Sequence, residues 1–227
     1  MSVFLLENDI YFPPASLAQE DGLLAIGGDL SPERLLEAYK NGIFPWYSED
    51  YPIMWWSPDP RMVMFPKEFK RTKNLRRLVN KGIFEVKFDS NFKKVLKECA
   101  SVDRGNQDGT WITQEMIDAY IKLHELGIAH SVETYFNGQM VGGLYGLAIG
   151  KVFFGESMFY NKSNASKVAF WHLVEKLLEW DFDIIDAQQQ TDHFKSLGGR
   201  AIGREKFLTL LKLAVEKPNE IKNWNNK

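Results

Sequence analysis

A polar pair closes an apolar run near the carboxyl end of the chain. Ile184 and Ile185 lead directly into Asp186, Ala187 and Gln188. Alternation along a strand would place Asp186 and Gln188 on one face, two residues apart. Because buried polar groups cost free energy unless they are paired, this couple needs a reason. Either the two side chains form a structural hydrogen bond, or they align a substrate.

Tryptophan is concentrated in a few short segments. Trp46, Trp55 and Trp56 lie within eleven residues of one another, and Trp111 stands in a Gly-Thr-Trp-Ile-Thr run. Clustered aromatic side chains usually belong to a core. An exposed tryptophan, however, is also a platform on which an unpaired base can stack, a contact of about 1–3 kcal/mol per base.

Basic residues crowd one stretch of the sequence. Residues 61–104 hold thirteen Lys and Arg against five Asp and Glu, whereas residues 1–60 hold ten acidic residues against two basic ones. Long charged side chains often do no more than solvate a surface. A density this high also predicts a surface that binds phosphates. The densest part contains Lys67, Lys70, Arg71, Lys73, Arg76, Arg77 and Lys81.

The composition is that of an ordinary globular protein, with 44% hydrophobic and 26% charged residues and a net charge of −2. We expect no membrane-spanning segment, because charge or glycine interrupts every long apolar run. The single cysteine, Cys99, cannot form an intrachain disulfide, which fits a reducing cytoplasm. It shares the apolar side of a predicted helix with Val95 and Leu96, so we interpret it as core.

Several familiar sites are absent from the sequence. It contains no Walker loop, no dinucleotide fingerprint and no Cys/His cluster with metal-ligand spacing. The four histidines are scattered, and we interpret them as structural or surface residues. His193, beside Asp192, is the one candidate among them for a role in a site.

The order of elements predicts an α+β protein in two units. Prolines between Tyr51 and Pro66 exclude a long regular element there, and we predict that this segment joins a small N-terminal α/β domain, residues 1–62, to a larger domain, residues 63–227. The order helix, hairpin, strand, helix, strand in the second unit is that expected of an acetyltransferase-like fold. The predicted elements are a strand at 23–26, a helix from Ser31 to Asn41, a strand at 84–88, helices at 91–101 and 113–126, strands at 129–136, 139–149 and 151–159, a helix at 164–180, a strand at 184–187 and helices at 193–197 and 205–215.

Glycine is unusually frequent in two of the predicted strands. Glycine weakens a sheet unless a bulge or a closely approaching ligand needs the room. Five glycines within fourteen residues therefore suggest a sheet that is opened for a substrate. They are Gly142, Gly143, Gly146, Gly150 and Gly155.

Taken together, these segments resemble the bacterial leucyl/phenylalanyl-tRNA–protein transferases, an aminoacyltransferase family. The resemblance covers about residues 12–210. It is carried in order by residues 22–32 (GLLAIGGDLSP), 42–46 (GIFPW), 55–61 (WWSPDPR), 109–113 (GTWIT), 123–127 (LHELG), 141–143 (VGG), 155–159 (GESMF), 164–167 (NASK) and 192–193 (DH).

The resemblance implies a small N-terminal α/β domain packed on a larger acetyltransferase-like domain. It implies a cytoplasmic enzyme that moves Leu or Phe, and sometimes Met, from tRNA to proteins that begin with Arg or Lys, and so marks them for proteolysis. The implied partners are the acceptor ends of Leu-tRNA and Phe-tRNA and these acceptor proteins. No metal, coenzyme or membrane is implied.

The resemblance also assigns residues to roles. Trp46 and Trp111 would hold the terminal adenosine of the tRNA, and Glu156, Asp186 and Gln188 would form the polar site. Family members often have cysteine where this chain has alanine between the last two, so a thiol cannot be essential here. The acceptor stem would lie on Lys70, Arg71, Lys73, Arg76, Arg77 and Lys81.

The implied reaction is aminolysis of an activated ester, in which holding ester and amine together can contribute about 7–11 kcal/mol. A neutral amide is a very weak base, so we interpret Gln188 as an acceptor that orients the amine, with Asp186 fixing the amide. A proton relay through the pair stays open. Glu156 could hold the acceptor's ammonium or its basic side chain by a charge-assisted bond.

An apolar pocket should select the transferred side chain. Such a pocket separates neighbours by one methylene only about 10–200-fold, so the earlier charging of the tRNA must supply most of the fidelity. For each candidate, plain core packing is the alternative. The candidates are Leu144, Phe153, Met158, Phe170, Leu173, Leu177 and Ile185.

Two other functions remain open at this point. An acetyl-coenzyme-A-dependent N-acetyltransferase needs a Gln/Arg-x-x-Gly-x-Gly/Ala run, and the nearest match, Gln139–Leu144, ends in Leu. A non-catalytic tRNA-binding module is the other alternative, and the pair Asp186–Gln188 speaks against it.

Overall fold

The computed structural model describes residues 3–102, 112–219 and 224–225, and it contains two sheets. The strand order is β1-β2-β4-β3 in the smaller sheet and β11-β5-β10-β9-β8-β7-β6 in the larger one. The strands are β1 (Phe4–Leu6), β2 (Leu23–Gly27), β3 (Phe44–Pro45), β4 (Met54–Trp56), β5 (Arg61–Met64), β6 (Glu85–Phe88), β7 (Ala129–Phe136), β8 (Gln139–Ile149), β9 (Val152–Tyr160), β10 (Ile184–Gln188) and β11 (Arg200–Ile202). The helices are α1 (Pro32–Lys40), α2 (Lys73–Asn80), α3 (Phe92–Ala100), α4 (Gln114–Glu125), α5 (Ala165–Glu179), α6 (Asp192–Ser196) and α7 (Arg204–Val215), with 3-10 turns at Ala15–Leu17 and Pro66–Glu68.

The predicted α+β class is confirmed, and every element predicted from the sequence is present within about two residues. The predicted strands at 129–136 and 139–149 form a hairpin, in which Asn137 and Gly138 both adopt the positive φ that the turn requires. Ser31 caps α1 through its hydroxyl, which accepts a hydrogen bond from the Arg34 backbone N–H at 3.4 Å. Elements that were not predicted include α2 and the short strands β1, β3, β4, β5 and β11.

Two hydrophobic cores lie on opposite faces of the larger sheet. Alternation along β8 sends Tyr145 and Leu147 into the core beneath α3 and α4, and Leu144 and Ala148 into the core beneath α5. Cys99 is buried in the first of these cores, as predicted. The smaller sheet packs on that same core through residues such as Trp55 and Tyr39.

The structure does not test the division of the chain near residue 62, which stays a prediction. The strand β5, which begins at Arg61, pairs with β10 and β11 in the larger sheet. Among the described residues, no helix is both long enough and apolar enough to cross a membrane.

Candidate active site

A cavity opens where two neighbouring strands of the larger sheet separate. The strands β9 and β10 run parallel, and their pairing ends at Phe154 opposite Asp186. Beyond that point lies a cavity of about 390 Å³, within the usual range for small-ligand sites. Its lining comes from β3, β8, β9, α5, β10 and α6. It comprises Phe44–Trp46, Leu144, Tyr145, Phe153, Gly155–Met158, Phe170, Leu173, Ile185, Ala187–Gln189, Thr191, His193 and Phe194.

A β-bulge in β9 positions Glu156. Tyr145 of β8 pairs with Ser157, and Gly146 pairs with Gly155, so Glu156 is the extra residue between them. The bulge also explains why Phe154 and Phe159, an odd number of positions apart, enter the same core. Bulges of this kind redirect side chains and are common beside active sites.

A second bulge lies directly opposite, in β10. Asp186 pairs with Val63 of β5 and Gln188 pairs with Met62, so Ala187 is the extra residue. Gln188 has a φ of +60°, a left-handed conformation that interrupts the strand. The bulge therefore interrupts the regular strand assumed for residues 186–188.

Asp186 is fully enclosed by Arg61. The guanidinium donates from Nε to Oδ1 at 2.9 Å and from Nη2 to Oδ2 at 2.7 Å, and neither side chain is exposed to solvent. The remaining Nη1 donates to the Gly42 carbonyl at 3.1 Å. The rings of Phe44 and Phe207 lie within 5 Å of the guanidinium carbon, at 4.8 and 4.7 Å. Asp186 is thus half of a dry, bidentate ion pair.

The amide of Gln188 is held by Glu156. Its Nε2 donates to Glu156 Oε1 at 2.9 Å, whereas the Gln188 backbone N–H donates to Asp186 Oδ1 at 2.9 Å. The expectation that Asp186 fixes the amide is therefore wrong. Asp186 holds the backbone of Gln188, and Glu156 orients its side chain.

Two tyrosines complete the surroundings of Glu156. Tyr39 Oη of α1 lies 2.8 Å from Oε1, and Tyr120 Oη of α4 lies 2.9 Å from Oε2, both hydrogen-bonding distances. Burial raises the pKa of Glu156 to about 7, and it outweighs the lowering that hydrogen bonds donated to a carboxylate by the two hydroxyls and Gln188 would cause. Burial raises the pKa of both tyrosines well above the ordinary value.

The predicted apolar residues lie together, with one exception. Leu144, Phe153, Met158, Phe170, Leu173 and Ile185 all line the cavity. Leu177 does not belong to this lining, because it is buried in the core behind it with Val174 and Phe182.

The interpretation of the glycines holds at one position only. Gly155 lines the cavity, and an added Cβ would find its nearest neighbour at 3.6 Å. Elsewhere a Cβ would collide with the protein itself, for example with Ala165 at Gly142 and with the Phe154 carbonyl at Gly146. The same holds for Gly143 and Gly150. Those four glycines serve close packing of the sheet, not an opening for substrate.

Trp46 and His193 both line the cavity. Trp46 is half-buried and contacts Trp56 edge to face, with the ring centroids 5.6 Å apart. Burial lowers the pKa of His193, and Lys167 lowers it further. Trp111 lies outside the described residues.

The basic stretch forms an exposed surface on and around α2. Lys70, Lys73, Arg76, Arg77 and Lys81 are exposed. Arg71 is different, because its guanidinium pairs with Glu175 of α5 at 2.8–2.9 Å and lies over Phe69 and Trp171. A groove of about 600 Å³ runs between α2 and the start of α5, lined by Arg77, Lys81 and Lys167 among others.

Comparison with known proteins identifies the family. The family described as "Leucyl/phenylalanyl-tRNA protein transferase" matches residues 63–212, and its N-terminal domain matches residues 28–59. A protein of Syntrophobacter fumaroxidans is 56% identical over 93% of this chain and 90% of its own length. A protein of Pseudomonas putida is 52% identical over the full length of both. Both relatives are named leucyl/phenylalanyl-tRNA–protein transferase.

The chain belongs to the leucyl/phenylalanyl-tRNA–protein transferase family. It is therefore an aminoacyltransferase. Among solved structures, a GCN5-related N-acetyltransferase of Kribbella flavida is 9% identical over 76% of this chain and 61% of its own, with a TM-score of 0.41. The L-PGS structure of Bacillus licheniformis is 12% identical over 87% and 72%, with a TM-score of 0.44.

The run Gln139–Leu144, which most resembled an acetyl-coenzyme-A motif, lies inside β8 of this transferase. A phosphate-binding loop of that class needs free backbone N–H groups at the start of a helix. The paired strand β8 cannot supply them, so the structure speaks against the acetyltransferase alternative.

Three residues of the transferase site were missed in the sequence. Arg61 opens the apolar strand β5, and a lone arginine in such a strand is a signal for a buried partner. Tyr39 and Tyr120 were predicted on helices, where an apolar face gives no sign that their hydroxyls meet a carboxylate. Their contacts span 117 and 36 residues of sequence.

Proposed function

We propose that this transferase moves Leu or Phe, and sometimes Met, from aminoacyl-tRNA to the α-amino group of proteins that begin with Arg or Lys. The product is a new peptide bond at the acceptor's amino terminus, which marks the acceptor for degradation in the cytoplasm. The observation that carries the proposal is the cavity, in which an apolar wall faces one oriented amide, that of Gln188.

The apolar wall would bind the side chain of the transferred amino acid. Leu144, Phe153, Phe170, Leu173 and Ile185 are buried, which supports a preformed, water-poor pocket. Met158 has an unbranched, adaptable side chain, which suits a pocket that accepts both leucine and phenylalanine. Discrimination between the two would be modest for the same reason.

Gln188 would position the attacking amine. With Nε2 donating to Glu156, Oε1 is the amide atom left to accept a hydrogen bond from the α-amine. The amine, with a pKa of about 7.7–8.0, is partly neutral near neutral pH and needs no strong base. In this account Gln188 and Glu156 act on orientation, and Asp186 supports them through the backbone.

The two contacts to tRNA would lie on different parts of the surface. Trp46, which lines the cavity, would stack on the terminal adenosine, and we propose the same role for Trp111. The phosphates of the acceptor stem would meet the exposed residues of the basic stretch, among which Arg71 is the least available because of its ion pair with Glu175.

A filter assay tests the proposed function directly. Phe-tRNA labelled on the amino acid is incubated with the transferase and an Arg-initiated protein, and acid-stable label in the protein is counted. The same acceptor with a chemically blocked amino terminus is the matched control and should take up no label. Label delivered instead from acetyl-coenzyme A would support an acetyltransferase, and tRNA binding without any transfer would support a binding module.

A further inference from the structure

Three side chains at the back of the cavity form a closed ring of oxygen contacts. The hydroxyls of Tyr39 and Tyr120 lie 2.5 Å apart. Tyr39 Oη lies 2.8 Å from Glu156 Oε1, and Tyr120 Oη lies 2.9 Å from Glu156 Oε2. All three distances are those of hydrogen bonds, and both tyrosines are fully buried.

The number of hydrogens in this ring depends on the charge of Glu156. Each contact between two oxygens needs one hydrogen, and each tyrosine hydroxyl supplies one. An ionised carboxylate supplies none. If both hydroxyls donate to an ionised Glu156, the two tyrosine oxygens face each other at 2.5 Å with only lone pairs between them, an unfavourable arrangement in a buried place. A third hydrogen removes the conflict.

We infer that Tyr39 and Tyr120 are positioning residues that hold Glu156 as a neutral carboxylic acid within a closed ring of three hydrogen bonds. The ring can run in either direction. Glu156 donates to one tyrosine, that tyrosine donates to the other, and the second donates back to the other carboxyl oxygen. Each bond in such a cycle polarises the next.

The surroundings of Glu156 favour the neutral form. No hydrogen bond that the structure describes brings a cation to its carboxyl group; the amide of Gln188 is a neutral donor, which stabilises a carboxylate less than a cation would. Burial favours the neutral form most strongly, and it outweighs the hydrogen bonds that the hydroxyls and the amide would donate to a carboxylate, so that the pKa of Glu156 is raised to about 7. The titratable and charged groups on the elements around it are Tyr39 of α1, Tyr120 of α4, Tyr145 of β8, Asp186 of β10 with its partner Arg61 of β5, and His193 of α6.

A neutral Glu156 has a consequence for the reaction, and this step rests on the proposed function. A carboxylate close to the acceptor amine would favour the ammonium form, which cannot attack an ester. A neutral acid still orients the Gln188 amide through Oε1 without adding that negative charge. Glu156 would then act by fixing Gln188, not by attracting the acceptor's charge.

Carboxyl-labelled glutamate gives the direct test. The protein is prepared with ¹³C at the glutamate carboxyl carbons, and the Glu156 signal, assigned by its loss in Glu156→Gln, is followed by NMR as the pH is raised. We expect the titration midpoint to move to lower pH in Tyr39→Phe and in Tyr120→Phe. With one hydroxyl removed, a single contact remains, and the other tyrosine supplies its hydrogen.

The opposite reading predicts the opposite sign. If the hydroxyls merely stabilise a carboxylate, removing one raises the midpoint. A rise, or no shift, in both variants overturns the inference. Tyr135→Phe is the matched control, because the Tyr135 hydroxyl contacts Ser90 and lies outside the ring, so the Glu156 midpoint should not move.

A second measurement needs neither tyrosine variant. At about pH 6 an ordinary glutamate, with a pKa of about 4.3, is almost wholly ionised. The infrared spectrum of the unaltered protein at that pH should contain a neutral carboxyl stretch that Glu156→Gln lacks, and its absence would overturn the inference. Because both readouts work without substrate, failure of the transfer assay would count against the proposed function alone.

The catalytic consequence has its own readout, the dependence of kcat/KM on pH. We expect activity to fall as Glu156 ionises, and the fall should begin at lower pH in the two phenylalanine variants. A purely structural role for the tyrosines would lower activity equally at every pH. That result would leave the neutral acid in place and remove its link to catalysis.

Discussion

The two polar residues of β10, Asp186 and Gln188, are separated by one residue and have opposite surroundings. Asp186 is closed into a dry ion pair, with both carboxylate oxygens bound by Arg61 and no solvent exposure. Gln188 lies at the cavity, where its side chain donates a hydrogen bond to the half-buried Glu156. The bulge at Ala187 separates the two environments.

This difference indicates two roles: Asp186 supports the local structure, and Gln188 is available to contact a substrate. A buried charge that is fully bound by its partner is not available to a substrate, but it can fix the backbone around it. The Oδ1 atom of Asp186 does this by accepting the Gln188 backbone N–H. The residue that faces the cavity is neutral, and so it can accept a hydrogen bond from an amine without favouring the ammonium form.

The largest expected effect is a loss of stability when the buried ion pair between Asp186 and Arg61 is broken. Asp186→Ala leaves the Arg61 guanidinium buried without its partner. We expect the free energy of unfolding to fall by about 3–5 kcal/mol, as measured by urea denaturation. Gln188→Ala removes one ordinary hydrogen bond and should cost only about 0.5–1.5 kcal/mol.

A double substitution separates the cost of the unpaired Arg61 charge from the cost of lost packing. Arg61→Met combined with Asp186→Leu removes both charges and keeps the volume apolar, so it should be more stable than Asp186→Ala alone. Equal losses in both proteins would mean that packing, and not the unpaired guanidinium, accounts for the cost.

The next largest effect is a loss of catalytic activity when Gln188, which faces the cavity, is replaced. Gln188→Ala should lower kcat by about 100-fold, the size of effect that misplacement of a reacting group produces. Gln188→Glu should lose activity too, since it places a carboxylate beside Glu156 and cannot donate to it. Activity retained in Gln188→Glu would instead favour proton transfer by residue 188.

A double-mutant cycle tests whether the effects of Asp186 and Gln188 on kcat are coupled. Asp186→Ala displaces the Gln188 backbone, so a further Gln188→Ala should reduce kcat little more than either change alone. Additive losses in kcat, measured per folded molecule, would show that Asp186 and Gln188 act separately.

The order and type of most elements could be predicted because they depend on local patterns. The hairpin turn at Asn137 and Gly138, the cap at Ser31 and the apolar side of α3 all depend on neighbouring residues. The bulges could not be predicted, because a bulge depends on how one strand pairs with the next. For this reason the irregular strand between Asp186 and Gln188 was not predicted.

The hydrogen-bond partners of the site residues could not be predicted from the sequence for a related reason. Arg61 and Asp186 are 125 residues apart in sequence, and the order of elements does not specify which side chains meet across a sheet. The prediction that the glycines open the sheet for a substrate was wrong at four positions for a different reason. A close backbone neighbour and an open cavity both require glycine, and only the structure distinguishes Gly155 from Gly146.

A smaller effect is expected at the mouth of the cavity. Trp46→Ala should raise the KM by an amount corresponding to about 1–3 kcal/mol, equally for aminoacyl-tRNA and for a minimal aminoacyl-adenosine, because both share the terminal base. Trp46→Phe keeps a stacking surface and should recover part of the loss. An effect on tRNA alone would place Trp46 away from the base. The same expectation applies to Trp111.

The smallest effect per residue is expected on the exposed basic surface, where water and salt weaken every charge. Arg76→Glu with Arg77→Glu should weaken aminoacyl-tRNA binding and reduce the slope of log K against log salt by about one per lost phosphate contact. The minimal aminoacyl-adenosine, which lacks the acceptor stem, should bind unchanged. Lys206→Glu with Lys212→Glu, two exposed residues of α7, is the control with the same change in net charge. If the control weakens tRNA binding as much, overall charge and not the basic stretch carries the attraction, and the phosphate contacts proposed for α2 must be abandoned.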